Sequence, residues 1–219
     1  MRSCNPVFGA LFGVVVVAAG CSSQQSSSDT SASSAASVSP PSTSASSPAV
    51  AADGCAASNV RMVTLESKAT DEPTLAVPAP NGWEYSEAMN SPVIRGAVVN
   101  TGLRANNFSP NAVVTLEDLT GRVPSAQQGI EAEIASIEQG GAAVQSRTAG
   151  TVCGHPSSTI TYTLQNRPVT ALITAAEDGP KIWATVLTIQ TNEPDNPTYT
   201  ADKQTMLDGF QFTVPGKDH

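Results

Sequence analysis

The segment KIWATVLTIQ, Lys181–Gln190, is apolar on both faces of an extended chain. Alternate side chains of a strand point to opposite sides, so Ile182, Ala184 and Val186 face one way and Trp183, Leu187 and Ile189 the other. A strand apolar on both sides must be central, with one layer above it and another below. Its neighbours show how the sheet is assembled. STITYTLQ, Ser158–Gln165, sets Ile160, Tyr162 and Leu164 against threonines, the alternation of a half-buried strand. PVTALITAA follows across Asn166-Arg167, and KIWATVLTIQ follows that across EDGP, whose Asp178-Gly179 signals a hairpin. Strands linked as hairpins are antiparallel.

Upstream, the β-branched RMVTLES (Arg61–Ser67) predicts a first strand. PTLAVPAPNGWEYSE (Pro73–Glu87) reads as a short strand, an Asn81-Gly82 turn and a lip carrying Trp83 and Tyr85. Its prolines, Pro78 and Pro80, place this piece at an edge or in a loop. PVIRGAVVN and NAVVTLEDL predict two further strands around the polar loop Thr101–Pro110. The period then changes. Ser125 and Gln128 form a capping box ahead of Ile130, Ile134 and Ile137, one stripe of an amphipathic helix that ends at Gly140-Gly141. Glu131, Glu133 and Glu138 fall off the stripe and are expected on a solvated face. AVQSRTAGTVCG is a strand candidate, Thr198–Asp208 a second helix that stops at Gly209, and FQFTV a final strand. Together these predict an α+β fold, a mostly antiparallel sheet of about six to seven strands layered with two main helices.

The N-terminal segment gives an address. Arg2 precedes an apolar run from Val7 to Ala19, and small residues lead into Cys21. A membrane-spanning helix needs about 20 apolar residues, so the run reads as a signal peptide, residues 1–20. It resembles the bacterial lipobox, with Ala18 where leucine is usual. The resemblance implies that Cys21 carries diacylglycerol and a palmitate-type acyl chain, an anchor on the extracytoplasmic side of the cell membrane. Residues 21–54 continue as a Ser, Ala, Thr and Pro stalk whose only charges are Asp29 and Asp53. Its composition predicts disorder and a reach of about 30 Å. Residues 55–219 then form a single domain.

PTLAVPAPNGWE (Pro73–Glu84) and NAVVTLEDLTG (Asn111–Gly121), the latter followed by the helix, resemble the mycobacterial LpqN/LpqT lipoprotein family. The similarity runs in element order from Pro73 to Val214, and only those two motifs are distinctive. It implies a PsbP-like α/β sandwich and an envelope lipoprotein without enzymatic activity. Members are linked with handling or export of cell-wall lipids and with surfaces that meet host proteins. The family supplies no catalytic residue to transfer, and a disulfide is not part of its pattern.

The remaining residues favour binding over catalysis. Nineteen acidic residues face 11 basic ones without a basic cluster, which argues against nucleic acid. With Cys4 in the signal peptide and Cys21 acylated, Cys55 and Cys153 are an even pair in an exported chain, hence an expected disulfide. The alternative is a nucleophile in CGHP, Cys153 with His155 as base, for which no orienting third group is evident. No metal site or cofactor is expected, since His155 and the terminal His219 are the only histidines and no HExxH, GxSxG or phosphate loop occurs. A hydrolase would have to draw on Glu84, Glu87, Glu117 and Asp118, with Arg95 or Arg122 as the partner of an inward Asp118. Two readings remain. One is a non-enzymatic accessory module, with Trp83, Tyr85 and Trp183 lining a cleft for an envelope lipid or meeting a lipid-export protein. The other is a protein-docking module with no small ligand.

Overall fold

In the computed structural model, which describes residues 54–216, the chain begins with β1 (Met62–Thr64), β2 (Thr74–Pro78), β3 (Trp83–Ser86), β4 (Ile94–Asn100) and β5 (Asn111–Asp118). Helix α1 (Ala126–Gln139) precedes the run β6 (Ser146–Val152), β7 (His155–Leu164), β8 (Arg167–Asp178) and β9 (Lys181–Gln190). Helix α2 (Pro197–Gly209) and β10 (Gln211–Thr213) follow. Cys21 and the stalk lie outside the described residues.

β9 is the middle strand of a seven-stranded antiparallel sheet ordered β3-β4-β5-β9-β8-β7-β6. Its two faces enter two separate cores. Ile182, Ala184 and Val186 pack with Ile130 and Ile134 of α1. Trp183, Leu187 and Ile189 pack with Tyr199 and Met206 of α2 and with a second, three-stranded sheet, β1-β2-β10. That second sheet departs from the sequence expectation. β2 is its centre rather than an edge, flanked by β1 and β10. Proline is tolerated because β10 pairs with β2 only as far as Ala76, so no ladder acceptor faces position 78 on that side; beyond it Ala79 N donates to Arg61 O at 2.8 Å. The strand within Arg61–Ser67 is also shorter than its β-branched run suggests: Met62–Thr64 pairs in register with β2, Arg61 O and Leu65 N each add one bond, and the chain then leaves the sheet.

Both helices are fixed at their N-termini by local side chains. Ser125 Oγ accepts from Gln128 N, and Asn196 Oδ1 accepts from Thr198 N and Tyr199 N ahead of Pro197. Gly209 ends α2 against β2, and a Cβ there would lie 2.8 Å from Pro78 Cγ. The meander has one hairpin more than the sequence pattern gave, because Cys153 and Gly154 form the two-residue turn between β6 and β7. The β7–β8 turn is Gln165-Asn166, both left-handed, one residue earlier than Asn166-Arg167.

One expectation about α1 is corrected. Glu131 and Glu138 are exposed, but Glu133 is half-buried. It stands beside Ile134 on the flank of the apolar stripe, near Glu117 and Arg122 at the far end of β5. Burial, with the Glu117 charge adding to it and Arg122 opposing, pushes its carboxyl up to about 7.

Candidate functional site

The turns divide between the two ends of the large sheet. One end holds the β6–β7 turn, the β8–β9 turn and the β3–β4 loop. The chain enters the domain there: Cys55 is disulfide-bonded to Cys153, and a Cβ on Gly54 would sit 3.4 Å from Cys153 O. The bond removes both sulfurs from chemistry, and Cys153 Sγ accepts from Phe212 N at 3.4 Å. His155, the first residue of β7, is buried and meets the Phe212 ring edge-on at 5.5 Å. CGHP is thus a disulfide-bonded hairpin turn followed by a core histidine.

The aromatic residues expected to line a cleft are placed as follows. Trp83 is completely buried, and its Nε1 donates to Asp202 Oδ2 of α2 at 2.7 Å. Trp183 is also in the core, with Lys181 Nζ 5.0 Å from its ring centroid. Tyr85 is half-buried on β3, the edge strand, and its ring packs so closely on Gly96 that a Cβ there would lie 2.7 Å from it. Neither indole presents a face to solvent, because the small sheet and α2 close over that side.

The acidic residues do not converge either. Glu84, on β3, is exposed and 3.4 Å from Arg61, whereas Glu117 pairs with Arg122 at 3.0 Å at the other end of β5. Glu87 is exposed. Asp118 does not turn inward; it is exposed and accepts from Thr120 N at 2.9 Å. Its carboxyl lies below the usual range even though burial, the largest influence, works the other way; bonds from Thr120 and the Lys181 charge outweigh it. Arg95 is engaged elsewhere, in a buried pair with Glu72 at 2.7 Å.

The end of the sheet opposite the Cys55–Cys153 bond carries a second group of loops. The loop Thr101–Pro110 begins with a 3-10 turn, Thr101–Leu103, capped by the buried Asn100, and tips over at Asn106-Asn107, both left-handed. Ala105 and Phe108 exchange two backbone bonds of 2.9 Å, which hold the tip rigid. The Arg167 guanidinium lies 4.5 Å from the Phe108 ring centroid, a cation–π contact. Asn192 Nδ2 donates to Ala105 O at 3.3 Å and joins this loop to the β9–α2 connection. Asn192, Glu193, Pro194, Asp195 and Asn196 line an open cleft of about 380 Å³ there. Leu164, 37% exposed, adds an apolar residue beside the Gln165-Asn166 turn. Two buried polar atoms at this end, Arg167 Nε and Gln190 Oε1, have no hydrogen-bond partner among the described residues.

Sequence reasoning missed this rim. Phe108 and Asn192 come from two separate connections and Arg167 from the start of β8, and only the turn residues beside them signal locally. The chemistry on offer is that of docking: shaped backbone, amides, one guanidinium and small apolar contacts. Among the described residues no group of three or more His, Cys, Asp or Glu side chains is placed to hold a metal ion.

Comparison with known proteins gives a consistent set of likenesses. The family model described as Probable lipoprotein LpqN matches residues 52–213. The crystal structure of LpqN involved in cell envelope biogenesis of Mycobacterium tuberculosis is similar at 16% identity and a TM-score of 0.53, over 71% of this chain and 92% of that one. The solution structure of cyanobacterial PsbP from Synechocystis sp. PCC 6803 aligns at 15% identity and 0.42, over 69% and 92%. The Ran-binding protein Mog1p of Saccharomyces cerevisiae aligns at 9% and 0.44, over 71% and 96%. No curated protein sequence matches the chain.

Proposed function

Because the chain belongs to the family of probable LpqN lipoproteins, we propose that it is a non-enzymatic accessory module of the cell envelope, acylated at Cys21 and held outside the membrane by residues 21–54. It works by docking a protein partner on the rim formed by the 101–110 loop, Arg167 and the 191–196 connection. The observation that carries this reading is the disulfide. By fixing the tether root at one end of the strands, it leaves the opposite end, with its rigid loop tip and open cleft, as the face turned toward partners.

A role in handling envelope lipids enters through that partner, such as a lipid exporter, rather than through a cavity for an acyl chain. Trp83 and Trp183, the natural walls of such a cavity, are core residues, and both sides of the sheet are filled by side chains. A carrier needs a deep apolar pocket.

The test uses the full chain in its native envelope, with a photo-crosslinking residue at Asn107 and, separately, at Ser136 on the exposed side of α1. A discrete protein adduct from Asn107 alone supports docking. Adducts to lipid, or equal labelling from both positions, overturn it. Cys21→Ser tests the anchor separately: the variant should leave the membrane fraction, and retention would refute acylation.

A further inference from the structure

The large sheet has two edges, and only one of them is guarded. At β3 the edge is four residues long, and Arg61 Nη2 donates to Trp83 O at 2.8 Å, occupying a carbonyl of the strand. β6 is seven residues long, and every residue but Val152 is exposed. Proteins blunt open edges with proline, projecting lysine or bulges. SRTAGTV contains no proline and no acidic or lysine side chain, and its register with β7 runs without a shift from Ser146 to Val152. Its one charge does not project: Arg147 is folded back onto Glu131 of α1 and donates from Nε to Ser158 Oγ at 3.1 Å.

The two-residue turn at Cys153-Gly154 fixes which backbone groups are spare. The residues flanking such a turn, Val152 and His155, form a bonded pair, so in the alternating antiparallel ladder Arg147, Ala149 and Thr151 turn their N–H and C=O groups outward. We infer that this edge pairs with β6 of a second copy, antiparallel about a two-fold axis through Ala149.

That register is self-complementary. Ala149 opposes Ala149, Arg147 opposes Thr151 and Thr148 opposes Gly150, so no like charges meet, and about six backbone bonds close across the axis. The side chains choose a second copy over a foreign peptide. An added peptide strand gains specificity from pockets for its alternate side chains, and Ser, Thr, Ala and Gly on both faces of β6 build none. Little apolar surface is buried by such a contact, so it depends on a high local concentration of copies.

The experiment is energy transfer between donor- and acceptor-labelled full-length chains, co-reconstituted in lipid vesicles at fixed density. Wild type should exceed transfer from random proximity. Ala149→Lys and Ala149→Glu alone should each weaken association about fivefold, since like charges then face each other across the axis. Mixing the two variants should restore it, and this rescue excludes misfolding as the cause. Wild-type transfer at the random level, single variants that associate normally, or a mixture that stays apart would each overturn the pairing.

Discussion

Replacing Glu133 by glutamine should stabilise the domain at pH 8 and leave it nearly unchanged at pH 4. In the folded chain the carboxyl is pushed from its ordinary 4.5 up to about 7, chiefly by burial and then by the Glu117 charge. For an acid with a raised pKa the protonated form is the one the fold accepts. Its full stability is therefore present below about 4.5 and is lost as the pH rises through about 7. At 1.36 kcal/mol per tenfold change in proton affinity, the rise corresponds to roughly 3 kcal/mol. The group is only half-buried, so solvent screening reduces the expected cost to about 1–2 kcal/mol. Glutamine keeps the shape and carries no charge, so urea denaturation of Glu133→Gln should gain that amount at pH 8. Glu138→Gln, on the exposed side of the same helix, should change stability by less than about 0.5 kcal/mol. A Glu133→Gln difference that does not change between pH 4 and pH 8 would refute the reasoning, because a purely steric effect has no pH dependence.

Three further outcomes follow from the packing. The double variant Cys55→Ser/Cys153→Ser opens a cross-link spanning 98 residues and should lose up to about 4.7 kcal/mol in urea melts; the oxidised native domain, once denatured, should take up no thiol reagent. Trp83→Phe removes the donor to Asp202 and should cost roughly 2–3 kcal/mol, whereas Trp83→Phe with Asp202→Ala should cost less than the sum of the two singles. Gly209→Ala forces a Cβ onto Pro78 and should cost about 1–3 kcal/mol in thermal melts.

The parts of the fold that can be read from sequence are those whose signal is local. The two-faced apolar pattern of β9 identifies the central strand because period-two alternation needs no partner to be recognised. Ser125 and Ile130, Ile134 and Ile137 likewise specify α1 within a few turns. β1 and β10 are three residues each and exist only by pairing with β2, so nothing within their own sequences announces a second sheet. The same distinction explains Glu133. Its place beside the stripe is visible, but its burial and the opposing charges of Glu117 and Arg122 arise only when the helix packs on the rest of the fold. Trp83 is ambiguous for the same reason: a Pro- and Gly-bounded tryptophan suits a cleft mouth or a core, and Asp202 of α2 decides for the core. The even cysteine pair is readable from export alone, whereas the Phe108–Arg167–Asn192 rim, drawn from two loops and the start of β8, is not.

The Cys55–Cys153 bond also determines how the domain bears load. A partner held at the far rim and an anchor in the membrane would pull on the molecule from its two ends. Tension arriving along the chain at Cys55 can cross directly to Cys153 in the turn of the β6–β7 hairpin. It then runs along strands whose ladder bonds lie perpendicular to the pull, so many bonds resist in shear together. The residues between 56 and 152, including the three-residue β1, are bypassed. Without the bond the same pull would enter at β1 and peel the small sheet one pair at a time. If residues 21–54 anchor the domain as proposed, the covalent link makes the point where they join it a mechanical clamp.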